Sequence, residues 1–517
     1  MYTNGISNVE EQYIYLSTPS ENPFTVRIMD GGCENLLAEI IISNDNPGRY
    51  TIGSRESIMV TALANKIAVP LQGMGVCLQA PEPFYANLRM QNSAQSGSLT
   101  AKGRIGTGTT FRTGKILEYE LAINKNRSRS SFIGVLALED DTRIRIADLP
   151  PELVITNSRR GEEFLTTLNK GESYILGVDM SMPNVTVESA NAFMGALVES
   201  TNGKPIAVSC GGILSAPVAN DGQDMGLDQP VPVEWIGNEY IAVRGNGGAV
   251  QERPIVIAHY NSTKVYVNGS NTPLVTLNEG EYFPIPTAYY ESRGNMFIET
   301  DKPSYVYQML SSTGRDVNLS LNFLPPINCF QPREVNNIAD VNKIGNTQFT
   351  GGIILVTTSD AILEVEDDNG PVVLPAPTPV PGRVIFSTYR INNLVGDVKV
   401  VSDGAIQVGI FGQSGARGWA GYYAGFPTDV PFLTVVNDDP RDPNGRCYNG
   451  VTLKVIGTNY DKYFWYKDNE FLLEETSGSI FTGPYGAGEY SVKGLIENCG
   501  ETLLSTSIPV EDCPDPL

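Results

Sequence analysis

The chain has 517 residues, 41% of them hydrophobic, with 58 acidic against 36 basic side chains and a formal charge of −22. The length allows three or four domains of roughly 150 residues each, and the apolar and Tyr content excludes a disordered chain. The charge excludes nucleic acid and anionic membrane surfaces as partners, while the carboxylates suit Ca²⁺.

No run of 18 apolar residues occurs, so no direct membrane insertion is expected. The start Met1-Tyr2-Thr3-Asn4-Gly5 leads into polar sequence without a basic-then-apolar leader. The chain reads as a mature or excised form of an exported protein. Seven cysteines and a single histidine, His259, are present. No CxxC pair occurs, so scattered disulfides are favoured over zinc. The expected pairs are Cys33 with Cys77 and Cys210 with Cys329. The odd count leaves at least one thiol without a partner in this chain.

Along the chain, the first stretch, Ile14–Ile28, is a divergent copy of a pattern that returns three times. Val135–Ile146, Val256–Val267 and Ile354–Val365 align without gaps. Each reads as strand, tight polar turn, strand. The second strand alternates, with Ile144 and Ile146 on one face and Arg143 and Arg145 on the other, the mark of a half-buried strand. The central Asp, Asn or Ser supports a hairpin turn. A second motif, Thr167–Tyr174, matches Thr276–Phe283, with Gly171 and Gly280 where a turn needs positive φ. A third appears four times, at Leu78–Phe84, Val198–Ile206, Ile298–Tyr305 and Val401–Ile406. Each copy is a strand, a turn and a further strand.

The expected fold is therefore all-β, with four related antiparallel units at 10–112, 113–227, 228–330 and 331–432. They are arranged as propeller-like blades or as packed sandwiches. Four blades would close a ring and hide their strand edges. A polar, Pro-rich linker spans 433–445. Residues 446–517 form an immunoglobulin-like sandwich, with alternating strands at Val451–Ile456 and Gly488–Lys493 and a Trp-bearing strand at Tyr463–Leu472. Cys447 is expected to pair with Cys499.

Several of these motifs resemble a known family. Glu139–Thr142, Thr276–Glu281, Ile298–Pro303, Asp228–Tyr240 and Leu324–Ile327 are similar to the N-terminal domain of the IgG Fc-binding protein of mucus. They are more similar still to its bacterial members in large surface proteins of Bacteroidota. Tyr466–Asp468 and Gly488–Tyr490 resemble the immunoglobulin-like repeats that follow in such proteins. The resemblance implies a secreted cell-surface protein exported by the type IX system, with a gliding-motility-type sorting region in a longer chain. It implies no catalytic residues, and antibody binding is not carried over.

The sequence offers residues for three chemistries. Ser-His-Asp catalysis would need His259 as its base, yet that residue falls on a repeated strand at the place of Leu138. A glycosidase needs two carboxylates. Glu199 and Glu299 recur at matching repeat positions, as structural residues do. For metal, Asp221, Asp224 and Asp228 lie close along a Gly-rich loop and offer hard oxygen ligands. A solvated polar turn is the plainer reading of this loop, and no cofactor is expected other than Ca²⁺ at these carboxylates. For ligand binding, Trp419, Tyr422 and Tyr423 stand among glycines, where exposed rings could stack on sugars. The loop Gly245–Val250 is Gly-rich but lacks the GK[ST] of a phosphate loop. The expected function is non-catalytic: an extracellular adhesion, gliding or scaffolding protein. Its partners are surface glycans, proteins or components of its own envelope, and a lectin-like module is the alternative.

Overall fold

The structure, a computed structural model, describes residues 1–513 except 6–8, 120–128, 159, 182–184, 218–222, 248–251, 291, 312–318, 329, 427–430, 438–446, 457–459, 498–499, 503 and 506. Strand makes up 53% of the chain and helix 4%, so the class is all-β.

Four units share one plan of two antiparallel sheets. In unit 2 the inner sheet contains, side by side, Ser173–Asp179, Ser130–Ala137, Ile206–Ser215 and Asp224–Asp228. Its outer sheet runs Thr110–Arg112, Leu197–Ser200, Thr142–Ala147, Phe164–Leu168. Unit 4 repeats the inner order with Phe386–Leu394, Thr350–Thr358, Ile406–Ser414, Arg417–Ala424. Unit 1 does so with Gly48–Gly53, Glu11–Ser17, Tyr85–Gln91, Ser96–Thr100. Unit 3 is built differently in one respect. Asn295–Ser311 is a single strand of 17 residues that serves both sheets. Its first half pairs with Gly237–Val243 and Thr263–Val267. Its second half pairs with Pro254–Ala258 and Leu319–Phe323.

The two sheets read differently in sequence because they are buried differently. Thr142–Ala147 and Thr263–Val267, on outer sheets, alternate buried and exposed positions. Ser130–Ala137 and Pro254–Ala258, on inner sheets, are covered on both faces and run nearly continuously buried. Continuous apolar runs are the expected signature of such strands.

The hairpin reading of the first motif is corrected. Ser130–Ala137 pairs with two inner strands and Thr142–Ala147 with two outer ones, and the two never pair with each other. The tight turn between them is a corner, where the chain leaves one sheet for the other. Asp141 and Ser262 take positive φ there, at 50° and 58°. The second motif is a corner too, and so is the third in units 1, 2 and 4, whereas in unit 3 it lies within the continuous strand Asn295–Ser311. In unit 2 the three corners meet at one end. Ala137 N–H donates to Glu172 O, Gly171 N–H to Ala137 O, and Leu138 N–H to Pro205 O. Unit 3 repeats the pattern, with Ala258 N–H donating to Glu281 O and Gly280 N–H to Ala258 O.

The units close into a ring. Ser96–Thr100, Asp224–Asp228, Leu319–Phe323 and Arg417–Ala424 line the axis, each packed against the next and the last against the first. Polar side chains tie them together. Ser96 N–H donates to Asp224 Oδ1 at 3.1 Å, Phe323 N–H to Asp228 Oδ2 at 2.6 Å, Ala420 N–H to Ser320 Oγ at 2.8 Å and Ser98 Oγ to Ala420 O at 2.8 Å. At three seams, turns of neighbouring units meet glycine to glycine: Gly32 with Gly171, Gly195 with Gly280, and Gly269 with Gly382. At the fourth, Arg89 of unit 1 donates to the carbonyls of Ala339 and Asp340 of unit 4 at 2.7 and 2.6 Å.

Some expected boundaries shift. Thr110–Arg112 pairs with Leu197–Glu199 of unit 2, so unit 1 ends before it. Phe432–Asn437, expected to begin the linker, is a strand of the C-terminal module and pairs with Val451–Ile456. That module is an antiparallel sandwich of two small sheets around the buried Trp465. Its hairpin turn carries Asp468 and Asn469, both at positive φ, as a tight two-residue turn requires. The Cys447–Cys499 pairing is overturned, because Cys447 bonds to Cys513. Cys33 bonds to Cys77. Cys210 is free and buried, while Cys329 and Cys499 lie outside the described residues.

Candidate ligand pocket at a seam of the ring

The aromatic segment expected to bind sugars does not reach solvent. Trp419, Tyr422 and Tyr423 are 0%, 1% and 2% exposed, because Arg417–Ala424 is an axial strand with neighbours on both sides. The Arg89 guanidinium covers the Trp419 ring at 4.5 Å, and Tyr423 Oη hydrogen-bonds Ser17 Oγ at 2.5 Å. The glycines between the rings allow close strand packing. A Cβ at Gly421 would meet Ser98 Oγ of unit 1 at 3.3 Å.

The acidic loop is also drawn inward. Asp228 is buried against Lys102 Nζ at 3.2 Å and accepts backbone N–H groups from Gln229 and Phe323. Burial raises its carboxyl pKa and lowers that of the lysine, while each charge opposes the other's shift. Asp224 is buried as well and holds the Ser96 amide. Asp221 lies outside the described residues. Among the described residues, no group of three or more His, Cys, Asp or Glu could hold a metal ion.

The two glutamates considered for glycoside chemistry lie on the outer sheets of different units. Glu199 pairs with Arg145 at 2.9 Å, and Glu299 stands opposite Glu239 and Tyr266 in the ladder. His259 follows the strand Pro254–Ala258. Its Nδ1 accepts from Arg112 Nε at 3.3 Å. Burial first, and then the Arg112 charge, depress its pKa below 6.5. Arg112 itself is buried, and two half-exposed carboxylates, Asp148 and Glu279, hold it at 2.8 and 2.7 Å. The Cys210 thiol is pushed up to about 12 by burial, which leaves it inert as a nucleophile.

Polar groups converge instead at the seam of units 3 and 4, around a pocket of about 370 Å³. Arg244, just past the strand Gly237–Val243, and Arg390, on Phe386–Leu394, form part of its lining. Arg293 contributes from the turn before Asn295. Thr378 and Thr388 add hydroxyls, and Tyr389 adds a ring. The segment Gly245–Gly247 lies between the arginines. Its carbonyls take Arg390 Nη1 at 2.8 Å and Arg244 Nη2 at 2.9 Å. Its amides go to the fully buried carboxylate of Glu252, both at 2.9 Å. These two amides are therefore already satisfied by an internal carboxylate. Burial and the neighbouring Arg244 lower the Arg390 pKa, and Glu252 opposes the shift. Sequence reasoning missed this pocket because its arginines lie almost 150 positions apart and meet only where two units abut. The Gly-rich loop was its one visible mark.

A closed ring of four two-sheet β units, with its polar pocket on a seam, defines an all-β repeat protein. The family described as "IgGFc binding protein" matches residues 97–412, and the chain belongs to it. That span runs from the axial strand of unit 1 to the inner sheet of unit 4. No curated protein matches the sequence. Solved structures similar to it include an ICAM-5 D1-D4 ectodomain fragment, at 12% identity over 74% of this chain and 100% of that one, with a TM-score of 0.10. An anti-sigma factor domain-containing protein from Clostridium clariflavum matches at 9% identity over 78% and 99%, with a TM-score of 0.12. The N-terminal eight Ig domains of Down Syndrome Cell Adhesion Molecule match at 9% over 97% and 68%, again at 0.12. Scores this low carry no argument about fold or function.

Proposed function

We propose that the chain is a non-catalytic extracellular binding protein that serves attachment or scaffolding at a surface. The observation that carries this reading is the seam pocket, where polar groups from two packed units converge. A pocket built on the edges of packed sheets is pre-formed, so little ordering entropy opposes binding. Membership of a family named for binding supports the reading. So do two disulfides, which persist in oxidising compartments outside the cytosol. The finer version, a type IX-exported attachment or gliding protein of Bacteroidota with an immunoglobulin-like module, rests on the motif resemblance.

The test is an array of glycans and host-matrix proteins probed with the 517-residue chain, with Ca²⁺ and with chelator. Selective, saturable capture with the ligand recovered unchanged is expected. Release of cleaved ligand, or silence on every spot, would overturn the reading. Loss of capture in chelator would return the Asp221–Asp228 loop to consideration as a metal site.

A further inference from the structure

The chain carries −22 overall, yet the seam pocket of units 3 and 4 is lined by three arginines and, among the described residues, by no carboxylate. Two of the three, Arg244 and Arg390, are half-buried and lie close enough to repel. Glu252 sits behind the Gly245–Gly247 segment and offsets one charge. The positive excess therefore faces the cavity. Arg390 is only partly satisfied, and its buried Nε has no hydrogen-bond partner among the described residues. Arg293 is exposed on the rim.

We infer that this pocket binds the oxyanion of an acidic saccharide, a sulfate or carboxylate carried on a sugar unit. Guanidinium groups match both anions through planar, paired N–H donors. Because Glu252 already takes the loop amides, recognition falls to the arginine side chains. The remaining walls include the polar side chains of Asn246, Ser292 and Thr378 beside the Tyr389 ring. Such walls suit a polyhydroxylated ligand better than an apolar one, and about 370 Å³ lies at the small end of ligand sites. The inference rests on the binding reading above and gives it a ligand class.

The experiment is calorimetric titration of the 517-residue chain with a sulfated disaccharide, a uronate disaccharide, their desulfated and carboxyl-reduced counterparts, and inorganic sulfate. The two charged disaccharides should bind, with affinity falling as salt rises. Their neutral counterparts should not. Arg293→Glu should weaken binding by about tenfold or more with the thermal midpoint unchanged. Arg390→Gln should do the same, but it can also loosen the Gly245–Gly247 loop, so the rim variant is decisive. Equal binding of neutral counterparts, or an Arg293→Glu affinity within about twofold of the parent, would overturn the inference. Inorganic sulfate binding as tightly as the disaccharides would overturn its saccharide part. Charge-independent capture on the array leaves the binding reading standing and removes only this ligand class, whereas silence on the array removes both.

Discussion

Glu118 stands between Lys115 and Arg129, and none of the three side chains is more than 1% exposed. Arg129 also donates to Leu214 O at 2.9 Å, and Lys115 to Ala190 O. Burial lowers the Lys115 pKa to about 8 despite the carboxylate beside it. Removing the anion leaves two buried cations facing each other. Glu118→Ala should therefore cost about 3–5 kcal/mol, read as a drop in the urea midpoint at constant slope. His259 gives a pH dependence with a definite sign. Its folded pKa is depressed below 6.5, so its contribution is whole above pH 6.5 and is lost as pH falls through the lower folded value. His259→Asn should flatten the midpoint-against-pH curve in that window. At this scale the sequence was a poor guide. Rings between glycines at Trp419, Tyr422 and Tyr423 look the same whether they face water or a neighbouring strand. Cys499 and Cys513 flank the same strands, so spacing could not choose a partner for Cys447.

The repeated motifs were legible because each corner needs the same turn chemistry in every unit. Their meaning was not, since a strand that pairs back and a strand that crosses to the other sheet share one alternating pattern. Two glycines separate what the turn requires from what the seam requires. Gly171 and Gly203 both have φ of 76°. A Cβ at Gly203 would meet nothing within 4 Å, whereas one at Gly171 would lie 2.7 Å from the Gly32 nitrogen of unit 1. Gly203→Ala should cost about 1 kcal/mol of backbone strain. Gly171→Ala should cost that and more, because backbone rather than a flexible side chain must move. Calorimetry on the two variants checks the difference.

The whole molecule closes through contacts that no local pattern announces. Arg89 meets Ala339 some 250 residues away and stacks on Tyr15 and Trp419, its guanidinium 4.1 and 4.5 Å from their rings. Neither blades nor independent sandwiches could be preferred from sequence, because both use the same strands and differ only at the seams. Arg89→Met should leave the carbonyls of Ala339, Asp340 and Lys343 without their donor and cost on the order of 3 kcal/mol. The expected signature is a thermal transition that broadens or splits as unit 1 parts from unit 4. A single sharp transition at the parental midpoint would refute the clasp.

The uninterrupted strand Asn295–Ser311 has a mechanical meaning. In units 1, 2 and 4 the same path is broken by a corner, so a pull that separates the sheets can open there first. In unit 3 one length of backbone is hydrogen-bonded into both sheets, and peeling them apart requires shearing both ladders together. If the chain were pulled at its ends, its other units would yield first, while this one, which carries a wall of the arginine pocket, kept its shape.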